Sequence, residues 1–177
     1  PKGVVHTHCG FPIKTVLDLG ICMDFKASDR ILWMSDMGWL VGPILVYGTT
    51  LMGGTMVLAE GTPDYPRADR IWQLVADEEV SYLGIAPTVA RNFMADQKFD
   101  ARRYDLSSLR VFCSTGEAWT PESWRWLYET IGGSRLPIVN FSGGTEMGGI
   151  LTSVVISPIK ECSFSRPVPG TGGAVYD

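Results

Sequence analysis

The sequence predicts an α/β fold, a mostly parallel sheet flanked by helices on both faces. Three observations point there. Apolar strand-like runs recur at residues 31–34, 55–59, 82–86, 109–113 and 138–139. Helical patterns separate them, so the chain reads as repeated βα units, whose parallel strands need a crossover. The strands are near-continuously apolar rather than alternating, as a sheet buried on both faces requires.

The first run follows an opening loop that carries His6 and His8, residues expected here as ordinary polar loop or strand side chains. Residues 37–59 contain no charged residue, long enough on that count for a membrane span. Five glycines and Pro43 interrupt the stretch, and Gly53-Gly54 divides it. A buried helix over 43–52 followed by a strand over 55–59, ended by Glu60-Gly61, explains it better. A helix over 68–79 places Ile71, Leu74 and Val75 on one face. Thr120-Pro121-Glu122 supplies an N-cap, a proline at the first helical position and an early acid. Trp124, Leu127, Tyr128 and Ile131 then follow at i, i+3, i+4 and i+7, a core-facing stripe. Residues 1–156 read as the sheet subdomain. The Pro-, Ser- and Gly-rich stretch from about 157 to 177 is expected to begin a further layer or strand region.

At 177 residues the chain can bury one sizeable core. A formal charge of −4, with no basic cluster beyond Arg102-Arg103, argues against nucleic acid or an anionic membrane as the main partner and favours small molecules. Cys9, Cys22, Cys113 and Cys162 form no C-x-x-C pair and read as free thiols, which favours a cytoplasmic location. The chain has no G-x-x-x-x-G-K-[ST] and no G-x-S-x-G, so a Walker-type nucleotidase and a nucleophile-elbow hydrolase are unsupported.

In sheets of this kind ligands bind outside the carboxyl ends of the strands. The polar and glycine-rich segments fall there: Ser35-Asp36-Met37-Gly38-Trp39, Pro87-Thr88, Ser114-Thr115-Gly116-Glu117, and Ser142-Gly143-Gly144-Thr145-Glu146-Met147-Gly148-Gly149. The last follows a run over 136–141 that reads as a buried strand. It sets one carboxylate, Glu146, among four glycines, a pattern suited to a ligand loop with a hard cation such as Mg²⁺ or, equally, to a solvated turn.

Taken in order, these segments resemble the adenylate-forming superfamily, the acyl-CoA synthetases and their relatives. Pro1-Lys2-Gly3-Val4 looks like the second half of the family's phosphate loop. Asp36-Met37-Gly38-Trp39-Leu40-Val41-Gly42, Ala86-Pro87-Thr88, Gly116-Glu117, Thr145-Glu146-Met147-Gly148-Gly149 and Ser165-Arg166-Pro167 fall where acetyl-CoA synthetase-like enzymes carry similar residues. The resemblance covers essentially the whole chain. It implies a reaction in which ATP·Mg²⁺ activates a carboxylic acid to an acyl adenylate, with release of pyrophosphate, before the acyl group passes to coenzyme A. It implies that Lys2 and Gly3 lie over the β- and γ-phosphates, that Thr145 bonds the α-phosphate and that Glu146 holds Mg²⁺. Gly116, Glu117 and Ala118 would lie against the adenine, with Asn140, Phe141 and Ser142 completing the nucleotide site. Trp39, Leu40, Val41, Thr115 and Gly143 match positions lining the acyl pocket.

Strict acetate enzymes carry a tryptophan where this chain has Gly143. Without the indole, the expectation is room for an acid larger than acetate, at roughly 0.8 kcal/mol per buried methylene. The same resemblance implies that the chain begins inside the phosphate loop and stops before the ribose-binding aspartate, the hinge and the small C-terminal domain. The isolated chain is therefore expected to be inactive, and to form homo-oligomers through apolar patches that further chain would cover. A peptide-synthetase adenylation domain, an aryl-CoA ligase and a non-catalytic nucleotide-binding module are the rival readings.

Overall fold

The computed structural model describes residues 3–96, 100, 103–174 and 176. The element order begins with α1 (Gly10–Val16), which continues as a π-helical turn over Leu17–Cys22. It proceeds through β1 (Arg30–Trp33), α2 (Val41–Leu51), β2 (Thr55–Val57), α3 (Arg70–Asp77), β3 (Tyr82–Gly84) and α4 (Pro87–Ala95). After β4 (Val111–Ser114) come α5 (Pro121–Arg125), with a second π-helical turn over Trp126–Ile131, and then β5 (Ile138–Gly144), β6 (Gly148–Thr152) and β7 (Arg166–Pro167). One sheet joins all seven strands in the order β2-β1-β3-β4-β5-β6-β7. The first five are mutually parallel, and β5-β6 and β6-β7 are antiparallel.

Strand alternation sorts the core into two layers. Leu32, Leu83, Phe112 and Ile138 face one side, where Trp72, Val75, Phe93 and Trp124 of α3, α4 and α5 cover them with Leu127 of the following π-helical turn. Ile31, Tyr82, Val111, Cys113, Val139 and Phe141 face the other, beneath Phe11, Ile44 and Leu45 of α1 and α2 and Leu19 of the π-helical turn after α1. Helices therefore cover both faces, as the apolar strands predict. The uncharged stretch 37–59 resolves into α2 and β2. Among the described residues no helix is long and apolar enough to cross a membrane. Thr120 caps α5 by accepting from the Ser123 amide, Pro121 sits at its start, and Trp124 stacks on Tyr128 with ring centroids 5.0 Å apart.

Two departures from the sequence reading have physical causes. The opening segment is helical from Gly10, although it carries no side-chain cap and no acid in its first turn; burial of Phe11, Thr15, Leu19 and Cys22 holds it instead. The glycine-rich stretch is less a loop than a hairpin stem, with only Thr145, Glu146 and Met147 between paired strands. Within the 157–177 stretch, Arg166–Pro167 pairs with β6 at the edge of the same sheet.

The amino edge of the parallel strands is tied by charge. Asp29 is 3% exposed, and both its oxygens accept from Arg110 Nη1, at 2.7 and 2.8 Å. It also accepts from Ser81 Oγ at 2.9 Å and the Lys26 amide at 2.8 Å. Arg110 also lies 5.7 Å from the centre of the Tyr82 ring. This knot joins the segments that enter β1, β3 and β4 and leaves the opposite, carboxyl edge free for ligands.

Candidate functional site

At the carboxyl edge, β4 ends beside β5, with Ser114 opposite Asn140. Both side chains are buried on the α5 face, and Ser114 Oγ and Asn140 Oδ1 have no hydrogen-bond partner among the described residues. A buried acceptor without a donor costs about 1–3 kcal/mol, so the pair marks a place where a donor from outside the chain would be welcome.

Beyond Ser114 the chain turns sharply through Thr115, Gly116 with φ +99°, Glu117 and Ala118. The Glu117 carboxylate accepts from the Thr88 amide at 2.9 Å and from Arg91 Nη2 at 2.7 Å, and also from the Thr88 hydroxyl. It thereby caps α4, whose first turn has no internal cap. Burial pushes the Glu117 carboxyl up, but the bonds from Thr88 and Arg91 outweigh it and leave the group below its ordinary range. The 115–118 loop is thus pinned by its acid, with the Gly116 backbone exposed beside Asn140's strand.

The β5-β6 hairpin carries the rest. Gly143 pairs with Gly149 and Gly144 with Gly148, with a bulge between Ser142 and Gly143. A Cβ on Gly143 would stand 2.1 Å from the Gly148 carbonyl oxygen, and one on Gly149 would meet the Phe141 ring at 2.3 Å. Gly148 has φ +74°. Gly143, Gly148 and Gly149 are therefore required by the stem's own closeness, beyond any need of a ligand. The Phe141 ring is buried under this stem, in the α1/α2 layer of the core.

At the tip, Thr145 and Glu146 are exposed. The Thr145 carbonyl accepts a 2.6 Å bond from His6 Nε2, whose ring packs on Phe11 at 4.2 Å between centroids. His6 is thereby part of the site, and its long-range partner is what sequence could not show. On the other arm of the hairpin, the Gly149 amide donates to Asp18 Oδ2 at 3.0 Å, and Lys14 pairs with Asp18 Oδ1. Neither Asp18 nor Lys14 was expected at the site. Their i,i+4 spacing was the one signal available, once the segment is known to be helical. An open cleft of about 240 Å³ lies between the turn and the segment before α1, lined by Val5, His6, Glu146 and Met147 among others.

Of the remaining expected residues, Lys2 lies outside the described residues, and Gly3 is exposed. Trp39 and Leu40 lead into α2 past a turn in which Asp36 accepts from the Gly38 amide at 2.7 Å. Trp39 is 69% exposed, whereas Val41 is buried in the core with Phe11 and Phe141. No hydrogen bond among the described residues joins these three to the hairpin. They share the sheet edge with it.

No three His, Cys, Asp or Glu side chains among the described residues converge on a point that could hold a metal. Glu146 is a lone exposed carboxylate. That fits Mg²⁺, which keeps several waters and takes one or two carboxylates together with substrate phosphates, and does not fit a cation needing an all-protein cage.

A pinned glycine turn after β4 and the β5-β6 glycine hairpin bearing Thr145 and Glu146 thus lie together at the carboxyl edge of a parallel sheet, the edge at which sheets of this kind bind ligands. The chain belongs to the AMP-binding enzyme family, whose model matches residues 1–177. It is 39% identical to the acetyl-coenzyme A synthetase of Herminiimonas arsenicoxydans and 37% identical to that of Paraburkholderia phymatum, in each case over 100% of this chain and 28% of the relative. Among solved structures it resembles acetoacetyl-CoA synthetase from Streptomyces lividans, with a TM-score of 0.87 and 27% identity over 95% of this chain and 26% of that one. The chain thus spans little more than a quarter of the length of these relatives.

Proposed function

We propose that the protein carrying this chain is an ATP-dependent acyl-CoA synthetase that joins a carboxylic acid to coenzyme A through an acyl adenylate. The observation that supports the reading is the unpartnered Asn140 Oδ1 beside Ser114, at the carboxyl end of β4. An amino group of adenine is the donor that such an acceptor lacks. The backbone of Gly116, Glu117 and Ala118, with Ser142 and the main chain of Phe141, would frame the base.

The physical problem of the reaction is to bring a carboxylate up to a polyphosphate. Thr145, at the exposed tip, would donate its hydroxyl to the α-phosphate. Lys2 and Gly3 would cover the outer phosphates, and Glu146 would hold Mg²⁺, which neutralises charge as the acid oxygen attacks. The acid itself would lie between Gly143, Thr115 and the Trp39, Leu40, Val41 segment. The absence of a side chain at Gly143 favours an acid larger than acetate, and a relative named for the acetoacetyl group is consistent with that. Four free thiols favour a reducing compartment, the cytoplasm. The 177-residue chain alone is expected not to turn over.

The test is acid-dependent ATP–pyrophosphate exchange in the full-length protein, comparing acetate with four- to eight-carbon acids, followed by assay of the acyl-CoA product. Exchange that depends on the acid but yields no acyl-CoA would move the protein to the adenylation domains. No exchange with any acid would sink the reading. Nucleotide binding without exchange would favour a non-catalytic module.

A further inference from the structure

A stem made of glycines has little to hold it in place. Strand pairs without side chains specify their register weakly, and Gly143, Gly144, Gly148 and Gly149 offer α1 no apolar surface to pack. Yet the three-residue tip between them carries both side chains that the proposed reaction needs. The hold comes from a different element. Asp18 is 1% exposed and sits on the π-helical turn after α1. Its Oδ2 takes the Gly149 amide at 3.0 Å, directly across the ladder from Gly143. Its Oδ1 pairs with Lys14, one turn back on the same helical segment. The fit is close, because a Cβ on Gly148 would stand 3.0 Å from Oδ2 and one on Gly149 would stand 3.2 Å from Oδ1.

We infer that Asp18 is a positioning residue for the adenylation step: by accepting from the Gly149 amide it fixes the glycine hairpin on α1 and so sets where Thr145 and Glu146 stand. Lys14 compensates the buried charge, and the amide bond does the positioning. The activity arm of this inference rests on the function proposed above, whereas its structural arm does not. A buried carboxylate that served stability alone would need only Lys14. Here the second oxygen accepts from the Gly149 amide and so ties the glycine arm of the hairpin to the α1 segment, and His6 ties the tip at the Thr145 carbonyl.

Two variants of the full-length protein separate the acceptor from the charge. Asp18→Asn keeps an oxygen for the Gly149 amide and lets the partly exposed Lys14 turn to solvent. Asp18→Leu fills the same space without an acceptor. The expected result is a kcat for acid-dependent pyrophosphate exchange about tenfold or more lower in Asp18→Leu, since small misplacements of reacting groups cost that much. KM for the acid should stay within about threefold, and Asp18→Asn should recover kcat to within about threefold of wild type. Amide hydrogen exchange at Gly149 should rise in Asp18→Leu and stay protected in Asp18→Asn. Equal kcat in the two variants, or unchanged Gly149 exchange in Asp18→Leu, would overturn the inference. If Asp18→Leu does not fold, Asp18→Ala, whose cavity admits water to the amide, takes its place with the same expected losses. A wild-type protein inactive with every acid would refute the proposed function and leave Gly149 exchange to decide the role of Asp18.

Discussion

Gly143 faces the carbonyl oxygen of Gly148 so closely that a methyl group on Gly143 would stand 2.1 Å from it. Backbone cannot yield as the end of a flexible side chain does, so Gly143→Ala must spread the hairpin. We expect it to cost about 3 kcal/mol, the upper end for overpacking, in denaturant titration. Gly172→Ala, at an exposed position with nothing within 4 Å of the added carbon, should stay within about 0.5 kcal/mol of wild type. A tryptophan placed at 143 would be a test of hairpin strain as much as of pocket volume. Acid chain length is better varied on the wild-type protein.

The amino-edge knot should respond unequally to loss of its two partners. Arg110→Ala strands the buried Asp29 carboxylate and should cost about 3 kcal/mol. Asp29→Ala frees a guanidinium whose side chain is already 44% exposed, leaving chiefly the Ser81 hydroxyl and Lys26 amide unsatisfied, and should cost about 2 kcal/mol. The order is the test, read from urea midpoints. Asp29→Ala as the more damaging change would contradict the account.

Glu117 gives a pH dependence of defined sign. Its folded pKa lies below the unfolded value of about 4.3, so its contribution to stability is fully present above that value and is lost as pH falls through the lower, folded pKa. Removing the guanidinium in Arg91→Ala should raise the Glu117 pKa, measured by carboxyl NMR titration, and should loosen protection of the Thr88 amide below pH 5. An unchanged titration curve would mean that Arg91 is a bystander.

Thiol reactivity should follow burial. Burial, with the nearby Asp18 charge adding to it, pushes the Cys22 thiol up to about 11, so only about a thousandth is thiolate at pH 8. Burial also raises Cys113. Iodoacetamide at pH 8 should therefore modify the exposed Cys9 first, and Cys22 and Cys113 only in denaturant, as read by mass spectrometry of peptides. Rapid native labelling of Cys22 would show that α1 opens.

What sequence made legible was whatever depends on local pattern. The helix at Pro121 announces itself through Thr120 and its i, i+3, i+4 stripe, and the division of residues 37–59 at Gly53-Gly54 follows from chain punctuation. The strand ends that gather Ser114, Asn140 and the hairpin follow from βα order. The helix at Gly10 stayed hidden because tertiary burial, not capping, stabilises it. Long-range partners stayed hidden as well. His6 meets Thr145 across 139 positions of sequence and Asp18 meets Gly149 across 131, and no periodicity encodes such pairs. The run of glycines invited a loop because absence of side chains signals both a turn and a stem too tight for them.

That tightness bears on how such an enzyme could diversify. Side chains are barred at Gly143 and Gly149 by neighbouring backbone and the Phe141 ring, and disfavoured at Gly148 by its positive φ. Under the proposed function, a side chain at Gly143, such as the tryptophan of strict acetate enzymes, would have to come with a respaced hairpin and not as a single change. Single steps toward a new acid are easier on the other wall, where the open setting of Trp39 and Leu40 leaves substitutions room to accumulate one at a time without unfolding the protein.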